Sequence, residues 1–325
     1  MDRRQWLILA FGPVPIITGA LALARLVRPV AGPAVADNSV LPSQALPVSR
    51  PAGPPPHAVP DAARLAADCR QRALRWKERL GEGCSVLIRE PFVLAGDLDA
   101  KTLAAWYDET LQPSLRAMQT AYFSTPPSRA VSVLLFADET SYSRVASELF
   151  GDERVSVYGY YKPDLHTLVL NAATGRGTLV HELTHALASF DFPEMPAWFN
   201  EGLASLHEQC RFRPDGSDLD GLPNWRLPGL QKAIRRGALR SLAALLAEPD
   251  FHGPHVGLNY AHARYFCMFM QHRGVLTEFY RRLRSDHAND PRGLRTVRAV
   301  FGNPSWEELD TRFQQWVLTL EYSPE

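Results

Sequence analysis

Two histidines four residues apart, with a glutamate directly after the first, are the residues of this chain best placed to do chemistry: His181-Glu182-Leu183-Thr184-His185. Leu179, Leu183 and Leu187 fall on one apolar stripe, so the segment reads as a helix, and one turn stacks both imidazoles on the same face. Two neutral imidazoles so placed can chelate a zinc ion, and Glu182 beside them can act as general base on water. With 10 His in 325 residues, chance alone produces such a pentapeptide in roughly one chain in fifty, so the motif needs support from its surroundings. The support is the sequel Pro196-Ala197-Trp198-Phe199-Asn200-Glu201-Gly202-Leu203-Ala204, in which a proline-bounded loop opens a second helix with Glu201 in its first turns. A helix–loop–helix return would carry Glu201 back to the histidines, for a set of two His and one Glu with the fourth position open. Asp191 is the rival third ligand, but that arrangement needs a glycine at 188 to bend the chain, and position 188 is Ala. Glu201 is preferred, and one zinc per chain is expected.

The elements that must hold these residues follow from periodicity and punctuation. Asp61 is a good N-cap for a helix that Gly81 can close. Residues 85–94 read as one or two short strands, and Asp97 or Asp99 can cap a long helix reaching about residue 123. Residues 130–136 form an apolar, β-branched run interrupted only by Ser132, a buried strand, and a helix over 140–150 follows. Residues 155–161 and 166–171 are further strands separated by the turn residues Lys162-Pro163-Asp164. From Gly175 onward the whole chain reads helical. Strands mixed with helices, then helices alone, indicate an α+β class. The expected organisation is a mixed α/β sublobe over 61–174 and a helical sublobe over 175–325.

Hydrophobic residues at 46% and charged residues at 22% provide for a real core and exclude wholesale disorder. Formal charge is zero, which argues against a general nucleic-acid binder. Lys occurs only at 77, 101, 162 and 232, so the basic residues are nearly all Arg, as in a GC-rich, bacterial coding sequence. Arg3 and Arg4 precede an uncharged stretch over 5–24, and residues 1–28 read either as an uncleaved membrane anchor or as a secretory signal cut after Ala24 or Ala36. Residues 29–60 hold nine prolines and read as an extended linker. Both readings of the N-terminus put the remainder in the cell envelope, inner-membrane anchored with a periplasmic domain or exported. Cys69, Cys84, Cys210 and Cys267 have no CxxC spacing, and their even number allows two disulfides there, with Cys210–Cys267 favoured.

The two motifs together resemble the gluzincin metallopeptidases, in particular the bacterial peptidase MA-like domains, over roughly residues 85–325. The resemblance implies a zincin-like fold, with His181, His185 and Glu201 as zinc ligands and Glu182 as base. It further implies that the strand with Leu168, Val169, Leu170 and Asn171 is an edge taking an extended substrate, against which stands the reading of a plain core strand. A Tyr or His opposite the metal donates to the developing oxyanion in such enzymes, which points to Tyr260, with His255 second. Ser205 stands where the best-known gluzincins carry an Asp that orients a ligand His. The other histidines, 57, 166, 207, 252, 262, 272 and 287, lack ligand spacing and read as structural, and Arg281, Arg282 and Arg284 as a solvated helix face. The expected activity is zinc-dependent endopeptidase action on a peptide or protein in the envelope. Two alternatives are a non-catalytic envelope binding or assembly protein and a zinc peptidase acting on peptidoglycan crosspeptides.

Overall fold

A computed structural model describes residues 62–152 and 156–323. The expected anchor or signal at 1–28, the linker at 29–60, the Asp61 cap and Val155 lie outside the described residues. No helix among the described residues is long and apolar enough to cross a membrane.

The chain begins with α1 (Ala62–Leu80), closed by Gly81 at φ +75°. A hairpin of β1 (Ser85–Arg89) and β2 (Phe92–Gly96) follows. Asp99 then caps α2 (Ala100–Trp106), its carboxylate accepting from the Thr102 N–H. A π-helical segment (Tyr107–Leu111) joins α2 to α3 (Gln112–Ala121), so the expected long helix is continuous but locally widened. Strand β3 (Val131–Phe136) leads to α4 (Glu139–Phe150), which Asp138 caps. Strands β4 (Gly159–Lys162) and β5 (Thr167–Asn171) are joined by a tight turn over 163–165.

These strands form one mixed sheet in the order β1-β2-β3-β5-β4; β2, β3 and β5 run parallel, and β1 and β4 are antiparallel borders. Side chains alternate between its faces. Val93, Ala95, Leu134, Phe136 and Val169 pack with Cys69, Trp76, Tyr142 and Val145 of α1 and α4. Leu94, Val133, Leu135, Leu168 and Leu170 pack with the helices on the opposite face, including Leu183 and Leu187. Covered on both sides, the central strands are mostly apolar, with Ser132 accepting from the Trp76 indole N–H at 2.8 Å, which is why residues 130–136 are legible as a buried run.

The second half starts with α5 (Arg176–Asp191), α6 (Ala197–Glu208) and a small hairpin of β6 (Cys210–Phe212) with β7 (Leu219–Gly221). The hairpin corrects the all-helical expectation: its strands are three residues each, too short to show periodicity. Helices α7 (Leu227–Arg235), α8 (Leu242–Leu246), α9 (Val256–His272), α10 (Leu276–Asp286), α11 (Leu294–Val300) and α12 (Trp306–Thr319) complete it. The class is α+β, as expected. Helix α6 packs tightly on α9 because residue 202 is glycine: a Cβ there would sit 2.9 Å from both the Ala263 carbonyl oxygen and the Cys267 sulfur. All four cysteines are free thiols, so the expected disulfides, Cys210–Cys267 among them, are not formed.

Candidate metal centre

Helix α5 carries His181 and His185 on one face, their ring centroids 4.9 Å apart. Pro196, at φ −62° and ψ 141°, starts α6 after a short loop, and Glu201 returns one turn into that helix. Trp198 and Phe199 fix the angle of return: the Trp198 indole N–H donates to the Arg292 carbonyl at 3.0 Å, and Phe199 meets Phe279 edge to face. As a result Glu201 Oε2 lies 3.6 Å from His181 Nε2 and 3.5 Å from His185 Nε2.

The three side chains could hold a metal ion. Two ligands each about 2.0–2.1 Å from a tetrahedral ion stand about 3.3 Å apart, close to the separations seen here. Glu201 Oε2 is also buried, with no hydrogen-bond partner among the described residues. A buried carboxylate oxygen without a donor costs free energy, and a cation between it and the two imidazoles would remove that cost. The donor set therefore fits a divalent ion.

The remaining ring nitrogens are held as well. His185 Nδ1 lies 3.0 Å from Asn200 Oδ1, and His181 Nδ1 lies 3.3 Å from Glu208 Oε2. With the rings neutral, a proton on each Nδ1 facing these oxygens would leave Nε2 with a lone pair toward the centre. The other Glu208 oxygen is bound by the Arg226 guanidinium and, at 3.3 Å, by the Asn224 amide. Burial disfavours charge on His181, yet the neighbouring Glu201, Glu208 and Glu182 carboxylates outweigh that and lift its pKa to about 10. Glu208 is held at about 2, where Arg226 and His181 overcome the burial that would raise it. Glu201 falls well below the usual carboxylate range because His185 and His181 more than offset its desolvation.

Glu182 lines the same cleft and is 7% exposed. Burial raises its carboxyl above the ordinary range, and the two histidines do not fully reverse this. The cleft has a volume of about 820 Å³. Its floor is the α5 face with Thr178, His181, His185 and Phe192, and its walls include Tyr158, Tyr160, Tyr161, Trp225 and Arg226. Tyr260 also lines it, beside Glu201, and its phenol is pushed up first by burial and then by that carboxylate. His255 is exposed at the start of α9, outside the lining.

Several sequence expectations need correction. The strand with Leu168, Val169, Leu170 and Asn171 is not an edge: β5 is paired on both sides, to β3 and β4, and all four residues are buried. The true edge beside the cleft is β4, and it approaches α5 closely because residue 159 is glycine, where a Cβ would lie 2.9 Å from the Thr178 methyl. Asp191 turns away from the imidazoles, bonded to Tyr280, Ser124, the Thr125 N–H and Arg284. Arg284 is thus a buried-site partner rather than part of a solvated face. Ser205 makes no side-chain hydrogen bond among the described residues, and Glu208 is the carboxylate that meets His181. His252, read as structural, lies 3.2 Å from Glu201 Oε1, and His166 lines the cleft with Tyr161. Glu208 was open to discovery, since 201, 205 and 208 share one helical face. Nothing local marks His252.

No family model matches this chain, and no curated protein matches it.

Proposed function

We propose that the protein is a zinc-dependent endopeptidase of the gluzincin type on a zincin-like fold. The observation that carries the reading is the meeting of His181, His185 and Glu201 around one point with the buried Glu182 in the same cleft. Zinc held by those three side chains would supply Lewis acidity and lower the pKa of its water to about 7. Glu182 then takes a proton from the attacking water and passes it to the departing amine, a task suited to a carboxyl whose pKa is raised by burial. The Tyr260 hydroxyl donates to the negative charge that develops on the substrate carbonyl oxygen. Asn200 and Glu208 keep both histidines in the tautomer that leaves Nε2 free.

The cleft supports an internal cut in an extended chain. From Thr178 to Ser189 the α5 floor runs about 17 Å, room for about five extended residues, with the two histidines between its ends. Strand β4 has a sheet partner on one side only, so its other side can pair with a peptide backbone. The walls carry Tyr158, Tyr160, Tyr161, Trp225 and Tyr260, and the one arginine among them, Arg226, is already paired with Glu208, which favours polypeptide segments with large side chains over short, carboxylate-rich peptidoglycan crosspeptides. Residence in the envelope rests on residues 1–28.

The test pairs zinc content with hydrolysis of quenched peptides about ten residues long. Wild type is expected to hold one zinc and cut internally in a chelator-sensitive way, while Glu182→Gln keeps the zinc and loses cleavage. A Glu182→Gln protein that still cleaves would remove the general-base assignment. A zinc-loaded wild type that cuts no peptide would favour a binding protein.

A further inference from the structure

Glu208 and the loop that holds it do something the ligand set alone does not require. The residue sits seven positions after Glu201, two helical turns on, hence on the same face of α6. It is a nearly fully buried carboxylate, and both of its oxygens are engaged. Oε2 meets His181 Nδ1 at 3.3 Å, and Oε1 is gripped by Arg226 and by the Asn224 amide. Asn224 is itself buried and anchored, its backbone N–H donating to the Tyr265 hydroxyl at 2.9 Å. The Arg226 guanidinium lies 4.1 Å from the Trp225 ring centroid and 5.9 Å from that of Tyr260. A buried Glu–Arg pair gains little stability as a pair, because desolvating two charges offsets most of their attraction. Its third contact, to a ligand imidazole, is where its value lies.

We propose that Glu208 and Arg226 are positioning residues for the metal centre. Glu208 fixes the His181 ring with Nε2 toward the ion, and Arg226 locks Glu208 to the cleft wall that carries Trp225 and Tyr260. The proposal rests on the metal-centre reading above. The physical ground is that a carboxylate accepting from the far nitrogen of a ligand imidazole selects its tautomer, orients its ring and makes it a stronger donor. Arg226 adds direction: its planar fork and its stacking on Trp225 restrict the carboxylate to one orientation, which a lysine would not.

The experiment measures zinc affinity of the full chain by competition with a chromophoric chelator, alongside the visible absorption of the cobalt-substituted protein. Glu208→Ala is expected to bind zinc about 10–100-fold more weakly than wild type. Glu208→Gln, which keeps the shape, is expected to recover part of that loss and to shift the cobalt bands, because a neutral amide is a poorer acceptor. Arg226→Met is expected to weaken binding less than Glu208→Ala does, and Ser205→Ala to leave it unchanged. Should Glu208→Ala not fold, Glu208→Gln carries the test by its cobalt spectrum. Zinc affinity of Glu208→Ala within twofold of wild type, or cobalt bands of Glu208→Gln identical to wild type, would overturn the proposal. A wild type that takes up no zinc at all would instead overturn the metal-centre reading on which it stands.

Discussion

His252 Nε2 stands 3.2 Å from Glu201 Oε1, the carboxylate oxygen opposite the one that faces His181 and His185. The two residues are 51 positions apart, and the contact fixes which oxygen of Glu201 is left for the centre. The His252 side chain is 57% exposed, so water can replace its bond at small cost. His252→Ala should therefore keep one zinc per chain and weaken zinc affinity by about tenfold at most. Glu201→Ala should lose the zinc. Metal analysis and chelator competition on both proteins check this.

Asp191 and Glu201 give opposite outcomes when truncated. The Asp191 carboxylate is fully buried and bonded by Tyr280, Arg284, Ser124 and the Thr125 N–H, so Asp191→Ala removes the counter-charge of the part-buried Arg284 and leaves the buried Tyr280 hydroxyl and the Thr125 N–H without their acceptor. A loss of about 3–5 kcal/mol of stability is expected, with zinc stoichiometry intact in the folded fraction. Urea unfolding with metal analysis measures both. Zinc lost from folded Asp191→Ala would reassign the third ligand.

Gly202 tests how α6 is seated. Any larger residue there pushes on the backbone of Ala263 and on the Cys267 sulfur, both in α9. Gly202→Val should lower stability by about 1–3 kcal/mol. It should also weaken zinc binding, because Glu201 is the neighbouring residue. The denaturation midpoint and zinc affinity should fall together.

Tyr260→Phe removes the hydroxyl and keeps the ring among Phe251, His252 and Arg226. The expected result is a fall in kcat of about 10²-fold with KM and zinc content little changed, as for loss of one oxyanion donor. Steady-state kinetics on a quenched peptide decide it.

His262 makes the fold sensitive to acid. Both of its ring nitrogens are buried without partners among the described residues, and the ring stacks on Phe313. Burial first, and the charge of Arg240 second, hold its pKa at about 3 against an ordinary value of 6.5. The unfolded chain thus binds a proton that the folded one refuses between those values. The stability this group contributes is complete above pH 6.5 and declines by about 1.4 kcal/mol per pH unit as the pH falls below it. His262→Leu should flatten that acid limb relative to wild type. Thermal melting from pH 7 to pH 4 measures the difference between the two slopes.

Local order was readable along the chain. The i, i+4 histidines, the proline that opens α6, the Asp99 cap and the apolar run through β3 each depend on residues a few positions apart, so their spacing carried them into the helices and strands observed. The α+β class followed from those elements. What needed the folded molecule was every relation between distant segments. Whether β5 lies inside the sheet or at its border depends on β4 folding back along it, and an apolar strand has the same composition in either place. That His252 reaches Glu201, that Arg226 grips Glu208, and that Asp191 answers to Tyr280 instead of the histidines are matters of which surfaces pack together. The cysteines show the same limit: their even number permitted pairing, but whether two sulfurs meet is set by how α6, the β6–β7 hairpin and α9 are stacked. Periodicity reports which side of an element is apolar. It does not say which of several apolar sides it will meet, because that choice is made by the summed burial and steric fit of the whole core.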